Sequence, residues 1–297
     1  MKATKIIMAA AAIWLMTAAS ACSKSQAAAP DNNIEDMTDI NTNQTPDTTS
    51  AKVEVETTMG NFTILLYGDT PKHRDNFVKL VNEGYYDGTL FHRIINEFMV
   101  QAGDPESKKA APGQRLGAGG PGYTIEAEIL FPKHFHKRYT LAAARQGDQV
   151  NPEKRSSGSQ FYVVTGQKVP ESQIARLEEN LHNQQLQSTF NGLAAEHMDE
   201  IHSLQAAGNQ QGLRDLQQQL IAQTEEIVAK NPLKLTDEMR EAYTTVGGAP
   251  HLDGAYTVFG EVISGMDVID KIEKVETDRS DRPTEDIRII KMKVLAE

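Results

Sequence analysis

The run VEVETTMGNFTILLY, residues 53–67, alternates apolar and polar positions on either side of a Met-Gly-Asn break. A period of two predicts β-strands, and the break predicts a hairpin between them. The pattern then changes. In TPKHRDNFVKLVNEGYY, residues 70–86, Phe77, Leu80 and Val81 form an apolar stripe. That spacing predicts a helix, with Thr70 as N-cap, Pro71 in the first turn and Gly84 as the stop. Strand chemistry returns in TLFHRIINEFMVQAG, then in YTIEAEI, YTLAAAR, SQFYVVTG and YTVFGEVI. GMDVIDKIEKV predicts a short helix, and DIRIIKMKVL a strand of alternating polarity. Many short strands with two helices predict an all-β barrel or sandwich, not a doubly wound sheet.

Residues 167–245 follow another rule. Ile174, Leu177 and Leu181, then Phe190, Leu193, His197, Ile201 and Leu204, recur at three- and four-residue steps. AAGNQQG breaks the series, and Leu213, Leu216, Leu220 and Ile227 resume it. This predicts an inserted α-helical hairpin with one narrow apolar stripe per helix, followed by a short helix at LTDEMREAY. The stripes can pack on each other within one chain, pair between two copies, or form an arm that binds client proteins.

The N-terminal region predicts no folded core. Lys2 and Lys5 precede the apolar stretch IIMAAAAIWLM, and TAASAC ends at Cys22, the sole cysteine. This is a targeting segment. It resembles a bacterial lipoprotein signal with Cys22 lipidated, although Ala19 stands where such motifs usually carry leucine. Ordinary secretion after Ala-Ser-Ala is the alternative. Residues 23–51 are rich in Asn, Thr, Asp and Pro and too poor in apolar groups to fold, so they read as a flexible tether. The expectation is a lipid-anchored protein of a bacterial envelope, facing the periplasm, with a secreted soluble form as the alternative.

Composition narrows the chemistry. A formal charge of −11 disfavours nucleic-acid binding, which needs a basic stripe, and one cysteine excludes a disulfide framework. The folded part has no Cys/His nucleophile pair and no Gly-x-Ser-x-Gly elbow. Gly117, Gly119 and Gly122 make a literal G-x-G-x-x-G, but Pro121 interrupts it and a strand, not a helix, follows. It therefore reads as a structural loop. His134 and His136 lie two apart without a carboxylate or cysteine cluster, and read as exposed histidines rather than metal ligands. No metal or cofactor is expected. The anomaly is LFHRIINEFMVQAGDP, residues 90–105, where an arginine and a histidine interrupt a buried-strand pattern beside an apolar shelf.

Those residues resemble the cyclophilin signature, built on Phe-His-Arg and then Phe-Met-x-Gln-x-Gly-Asp. The resemblance continues through TPKHRDNFVKLVNEGYYDG, the Gly-rich loop, LAAAR, SSGSQFYV and HLDGAYTVFGEVISGMDVIDKI, and spans residues 53–166 and 246–297. It implies a closed eight-stranded antiparallel β-barrel capped by two helices. It also implies peptidyl-prolyl cis-trans isomerase activity on proline-containing, unfolded or folding polypeptides. Arg93 matches the family's catalytic arginine. Phe98, Met99, Tyr162 and Leu252 match the lining of the proline pocket. His92, Gln101 and Gln160 match polar groups near it, and Ala144 and Arg145 the strand along which the peptide lies. His251 and Tyr256 stand at the rim, where eukaryotic members often carry tryptophan and histidine. Tyr162 replaces a common phenylalanine, so its hydroxyl needs a partner. A non-catalytic holdase that binds clients through the helical insertion is the alternative function.

Overall fold

The computed structural model describes residues 49–296. They form two compact units, one of residues 49–174 and 236–296, the other of residues 175–235. The targeting segment, Cys22 and nearly all of the tether lie outside the described residues.

The larger unit is built on ten strands: β1 (Ala51–Thr57), β2 (Gly60–Leu66), β3 (Arg93–Ile95), β4 (Met99–Ala102), β5 (Thr124–Ile125), β6 (Thr140–Ala143), β7 (Ser156–Ser157), β8 (Phe161–Val164), β9 (Val258–Ser264) and β10 (Ile289–Leu295). Helix α1 (Pro71–Asn82) belongs to it, as do the last two helices of the chain described below. Eight strands form one antiparallel sheet in the order β10-β1-β2-β9-β6-β8-β4-β3, and β5 pairs with β7 separately. The alternation in residues 53–66 does what it predicts: Val53, Val55, Phe62, Ile64 and Leu66 are all buried on one face. The hairpin turns at Gly60, whose φ of +126° suits glycine.

The expected closed barrel needs correction. The ladder curls into a half-barrel whose edges, β3 and β10, are not paired as strands. Isolated backbone bonds to neighbouring loop residues tie the two edges there instead. Phe91 N donates to Ile287 O at 2.9 Å, Ile289 N to Thr89 O at 2.8 Å and Ile94 N to Asp281 O at 2.7 Å. Turns at 83–88 and 278–282 keep these edges from forming a continuous ladder.

Helix α1 lays Phe77, Leu80 and Val81 into the core, where the Phe77 ring meets Tyr86 and Phe161 at centroid distances of 5.0 and 5.3 Å. Its N-terminus is capped from afar. Thr70 makes no side-chain cap, whereas the Glu128 carboxylate accepts from Lys72 N at 3.0 Å and His73 N at 2.9 Å. His73 joins Glu128 at 2.6 Å to Ser156 Oγ at 2.9 Å, which is the geometry of a hydrolytic triad. Ser156 is only 1 % exposed, so no substrate carbonyl reaches it and the chain acts as a staple between α1 and β7.

The smaller unit holds α2 (Ile174–Glu196, from Ala175 onward), α3 (Met198–Ala206) and α4 (Gln210–Lys230). Leu186, Phe190, Ala194 and Ile201 pack with Leu213, Leu216, Leu220, Ile221 and Val228 in a core of their own. Of the expected stripe, Phe190, Ile201, Leu213, Leu216 and Leu220 lie in this core and Leu193 and Leu204 pack against it, whereas His197 sits at the break between α2 and α3 and pairs with Glu200. Ile227 is 43 % exposed, and Val228 takes the inward place. From Leu220 the inward series steps by four through buried Thr224, whose hydroxyl donates to Leu220 O at 2.7 Å. Asn209 caps α4 by accepting from Gly212 N at 2.9 Å.

Helix α5 (Asp237–Thr245), the LTDEMREAY segment, belongs to the larger unit. Thr236 caps it, and Met239 and Tyr243 are buried. Val169 N donates to Tyr243 O at 2.8 Å and Arg240 pairs with Glu171 at 2.8 Å, so residues 169–171 and α5 form one foot. Helix α6 (Met266–Ile272) completes the unit by burying Val268, Ile269 and Ile272 in the main core.

Candidate active site

The LFHRIINEFMVQAGDP segment is a hairpin, not one strand: β3 and β4 pair with Arg93 opposite Gln101 and Ile95 opposite Met99. The register continues across the sheet, Gln101 to Tyr162 on β8 and Tyr162 to Ala142 on β6. Directly opposed residues point to the same face. Arg93, Gln101, Tyr162 and Ala142 therefore form a row on the face opposite the main core, where Ile94, Val100, Val163 and Leu141 sit. The apparent misplacement of charge is a consequence of period two.

This outer face carries a hollow of about 120 Å³ lined by Arg93, Phe98, Met99, Gln101, Ala144, Arg145, Tyr162, Leu252 and Tyr256. Nine of the residues implied by the resemblance thus meet at one place. Met99, Ala142, Tyr162, Val164, Ala249 and Val258 form its apolar floor. Three others fall elsewhere. His251 stacks against the Phe98 ring at 5.1 Å, at the rim. Gln160 is buried behind the hollow, where its amide donates to Gly117 O at 3.0 Å and Gly119 O at 2.7 Å and accepts from Gln101 Nε2 at 3.0 Å. His92 faces a neighbouring hollow and is described further on.

Arg93 is half-exposed, with its Nε 3.4 Å from Asp281 Oδ2, and its terminal nitrogens make no hydrogen bond among the described residues. Arg145 is fully engaged. Its Nε donates to Ala255 O at 2.8 Å, it pairs with Asp148 at 2.6 Å, and it lies 4.5 Å over the Tyr256 ring. It shapes the wall, and Arg93 is the arginine with free donors at the hollow.

The Gly-rich loop is pinned inward. Asp104 accepts from Gly117 N at 2.5 Å and Gly119 N at 3.3 Å, so these amides serve the protein rather than a phosphate. A Cβ at Gly119 would lie 2.1 Å from Asp104 Oδ1, which makes glycine obligatory there.

The reading of His134 and His136 as two exposed histidines is corrected. His134 is largely covered, stacked on Tyr67 at 4.3 Å and bonded to Asp69 at 2.8 Å. His136 is 1 % exposed; its Nδ1 meets Asp253 Oδ1 at 2.9 Å and its Nε2 meets the Tyr162 hydroxyl at 3.1 Å. An ionised carboxylate only accepts, so Nδ1 donates to Asp253 and Nε2 is the ring nitrogen left to meet the Tyr162 hydroxyl. Asp253 Oδ2 in turn accepts from Tyr243 at 2.5 Å. Burial raises the Tyr162 hydroxyl well above its ordinary pKa, and burial together with Asp253 does the same to Tyr243, so both stay protonated. Among the described residues no group of three His, Cys, Asp or Glu side chains could hold a metal.

The hollow thus brings together an apolar floor of side-chain size and a guanidinium whose terminal nitrogens are unused among the described residues. The family model for cyclophilin type peptidyl-prolyl cis-trans isomerase/CLD matches residues 52–226 and 236–294, and the chain belongs to that family. A Staphylococcus saprophyticus protein designated a peptidyl-prolyl cis-trans isomerase is 29% identical over 261 residues, which is 87% of this chain and 95% of that one. A Streptococcus pyogenes protein designated a bifunctional phosphatase/peptidyl-prolyl cis-trans isomerase is 30% identical over 244 residues, 81% of this chain, but the match spans only 38% of its length. A crystal structure of a Cryptosporidium parvum cyclophilin type peptidyl-prolyl cis-trans isomerase aligns with 84% of this chain and 99% of its own, at 19% identity and a TM-score of 0.48. Family membership and the relatives' names support peptidyl-prolyl isomerase function for this chain.

Proposed function

We propose that this protein catalyses rotation about X-Pro bonds in extended segments of folding polypeptides, with Arg93 as the catalytic group. Peptide rotation faces a barrier of about 18–20 kcal/mol because resonance gives the C–N bond double-bond character. In the twisted transition state that resonance is lost, and the proline nitrogen regains a lone pair. A donor aimed at it is rewarded only there, which is the condition for raising the rate. Arg93 stays protonated and carries donors that the fold leaves unused. Phe98, Met99 and Tyr162 hold the pyrrolidine ring, while Gln101, opposite Arg93, offers a polar side chain to the flanking backbone; the Ala144 N–H and O are already taken by Gln160 O and Ser157 N.

The observation that carries this reading is the shared hollow, in which a guanidinium with unused terminal donors and an apolar floor of ring size meet. The experiment is acceleration of cis/trans exchange in a short Ala-Pro peptide by the purified protein. Arg93→Ala lowers kcat/KM by about 100-fold or more, the scale of losing one transition-state donor. An Arg93→Ala rate equal to that of the unchanged protein would refute the assignment.

The place of action belongs to the same proposal: the cell envelope, with Cys22 lipidated and residues 23–51 as tether. Its support is the sequence of the first 22 residues. Cys22→Ala moves the protein from the membrane to the soluble fraction of the expressing bacterium; unchanged fractionation would count against the anchor.

A further inference from the structure

Beside the proline hollow lies a second one of about 540 Å³, between the Gly-rich loop and the turn at 278–282. It shares Arg93, Gln101 and Arg145 with the first. Its charge is opposite to that of the molecule. The chain carries 41 acidic against 30 basic side chains, yet Arg93, Arg115, Arg145, Arg279 and Arg282 line this hollow with Asp278 as its one acidic residue.

Three of these arginines are partly neutralised, by Asp281, Asp148 and Asp286 respectively. Asp278 is also occupied, accepting from Ser280 N at 2.7 Å and Arg282 N at 3.1 Å. Arg115 and Arg279 are exposed and form no ion pair among the described residues. Arg282 donates to Ala111 O and Gln114 O, which holds the loop carrying Arg115 against the turn carrying Arg279. The two free guanidinium groups are therefore placed by the fold.

A second observation points the same way. His92 lines this hollow, is 4 % exposed, and neither ring nitrogen has a hydrogen-bond partner. A buried polar group without a partner is costly, so a peptide group that reaches the ring from the hollow gains a hydrogen bond there. Gly117 closes over the ring: a Cβ there would stand 3.6 Å from His92 Nε2.

We infer that this hollow is a subsite for a carboxylate side chain of the substrate, so that the enzyme favours prolines with Asp or Glu nearby in the chain. The inference rests on the groove being the proline-peptide site. An extended peptide advances about 3.3 Å per residue, so the acidic residue falls within about three positions of the proline. Attraction here also steers an anionic segment toward an otherwise acidic protein, an effect that salt weakens.

The test is kcat/KM on matched proline peptides carrying Asp or Asn at each of the three positions on either side. At one or more positions the Asp peptide exceeds its Asn partner by about tenfold at low salt, the combined scale of two favourable pairs. The ratio falls toward one in Arg115→Ala/Arg279→Ala and at high salt. Charge reversal in Arg115→Glu/Arg279→Glu turns the preference toward lysine, which a misfolded variant could not do. An Asp/Asn ratio near one at every position in the unchanged protein, while the Asn peptides are isomerised, overturns the subsite and leaves the isomerase reading standing. Failure to isomerise any peptide overturns the isomerase reading instead.

Discussion

The Tyr243 hydroxyl donates to Asp253 Oδ2 at 2.5 Å, and both residues are sealed from solvent. Tyr243 stands on α5, at the foot of the helical insertion, and Asp253 turns its other oxygen to His136. The chain ends at the Tyr162 hydroxyl, whose ring lines the proline hollow. A hydrogen bond to a buried carboxylate is stronger than one between neutral groups, and losing a partner leaves a desolvated charge less well held. Tyr243→Phe is therefore expected to lower unfolding free energy by about 1–3 kcal/mol, read as a shifted urea midpoint at constant m. An unshifted midpoint would show that the bond contributes nothing.

Tyr162→Phe acts at the other end. The ring that floors the hollow keeps its shape, but His136 Nε2 loses the hydroxyl that faces it at 3.1 Å. We expect a stability loss of about 1–3 kcal/mol, because a buried polar nitrogen goes unsatisfied. Turnover of an Ala-Pro peptide should change by less than about threefold, since the pocket keeps its apolar surface. A large fall in kcat with stability intact would give the hydroxyl itself a role in the reaction.

These two residues also mark how far the sequence could be read. Arg93, Phe98, Met99 and Gln101 were legible because the resemblance rests on their own short motif, all of it within nine residues of one hairpin. The chain Tyr243–Asp253–His136–Tyr162 was not. His136 and Asp253 are 117 residues apart, and no local pattern announces such a pair. The motif PKHFHKR drew attention to His136 yet suggested exposure, because polar flanks say nothing about a distant partner. Capping of α1 by Glu128, 55 residues beyond His73, was hidden for the same reason. The half-barrel edges were missed because strand propensity is local, whereas ladder continuity depends on two turns far apart in sequence. In the helical unit the spacing was right, but Leu220 to Ile227 is seven residues, and a step of four twice puts Val228 inside.

Acid should weaken the fold before any carboxylate is protonated. Burial lowers the pKa of His92 below its ordinary value, and partial burial with the nearby His136 lowers that of His251. In the unfolded chain both titrate near the usual value of about 6.5. Between the depressed folded pKa values and about 6.5 the unfolded state binds more protons, so stability falls as pH falls. Glu128, whose pKa is also lowered by its bonds to His73 and Lys72, adds its own loss only below the usual carboxylate range. Thermal unfolding should therefore move to lower temperature between pH values of about 7.5 and 5, and His92→Phe should flatten that slope. A Tm independent of pH over this interval would contradict the assignment of neutral, buried His92.

The foot of the insertion decides where it can be cut. Removing residues 175–235 and joining Ile174 to Thr236 through a short glycine-serine linker keeps α5, the Val169–Tyr243 backbone bond and the Arg240–Glu171 pair. Removing residues 167–245, the span that sequence texture alone marks out, takes Tyr243 from Asp253 and uncovers Phe135, whose ring packs on Tyr243 at 5.5 Å. The shorter deletion should leave peptide isomerisation within about twofold and a cooperative unfolding transition. The longer one should lose about 3–5 kcal/mol, the scale of removing a buried aromatic side chain. Suppression of client aggregation measured on the shorter deletion separates the two roles of the helical unit: its loss with turnover intact assigns client contact to residues 175–235, and its retention assigns that contact to the proline groove. Equal stability of the two deletions would mean that α5 and its tyrosine are dispensable to the half-barrel.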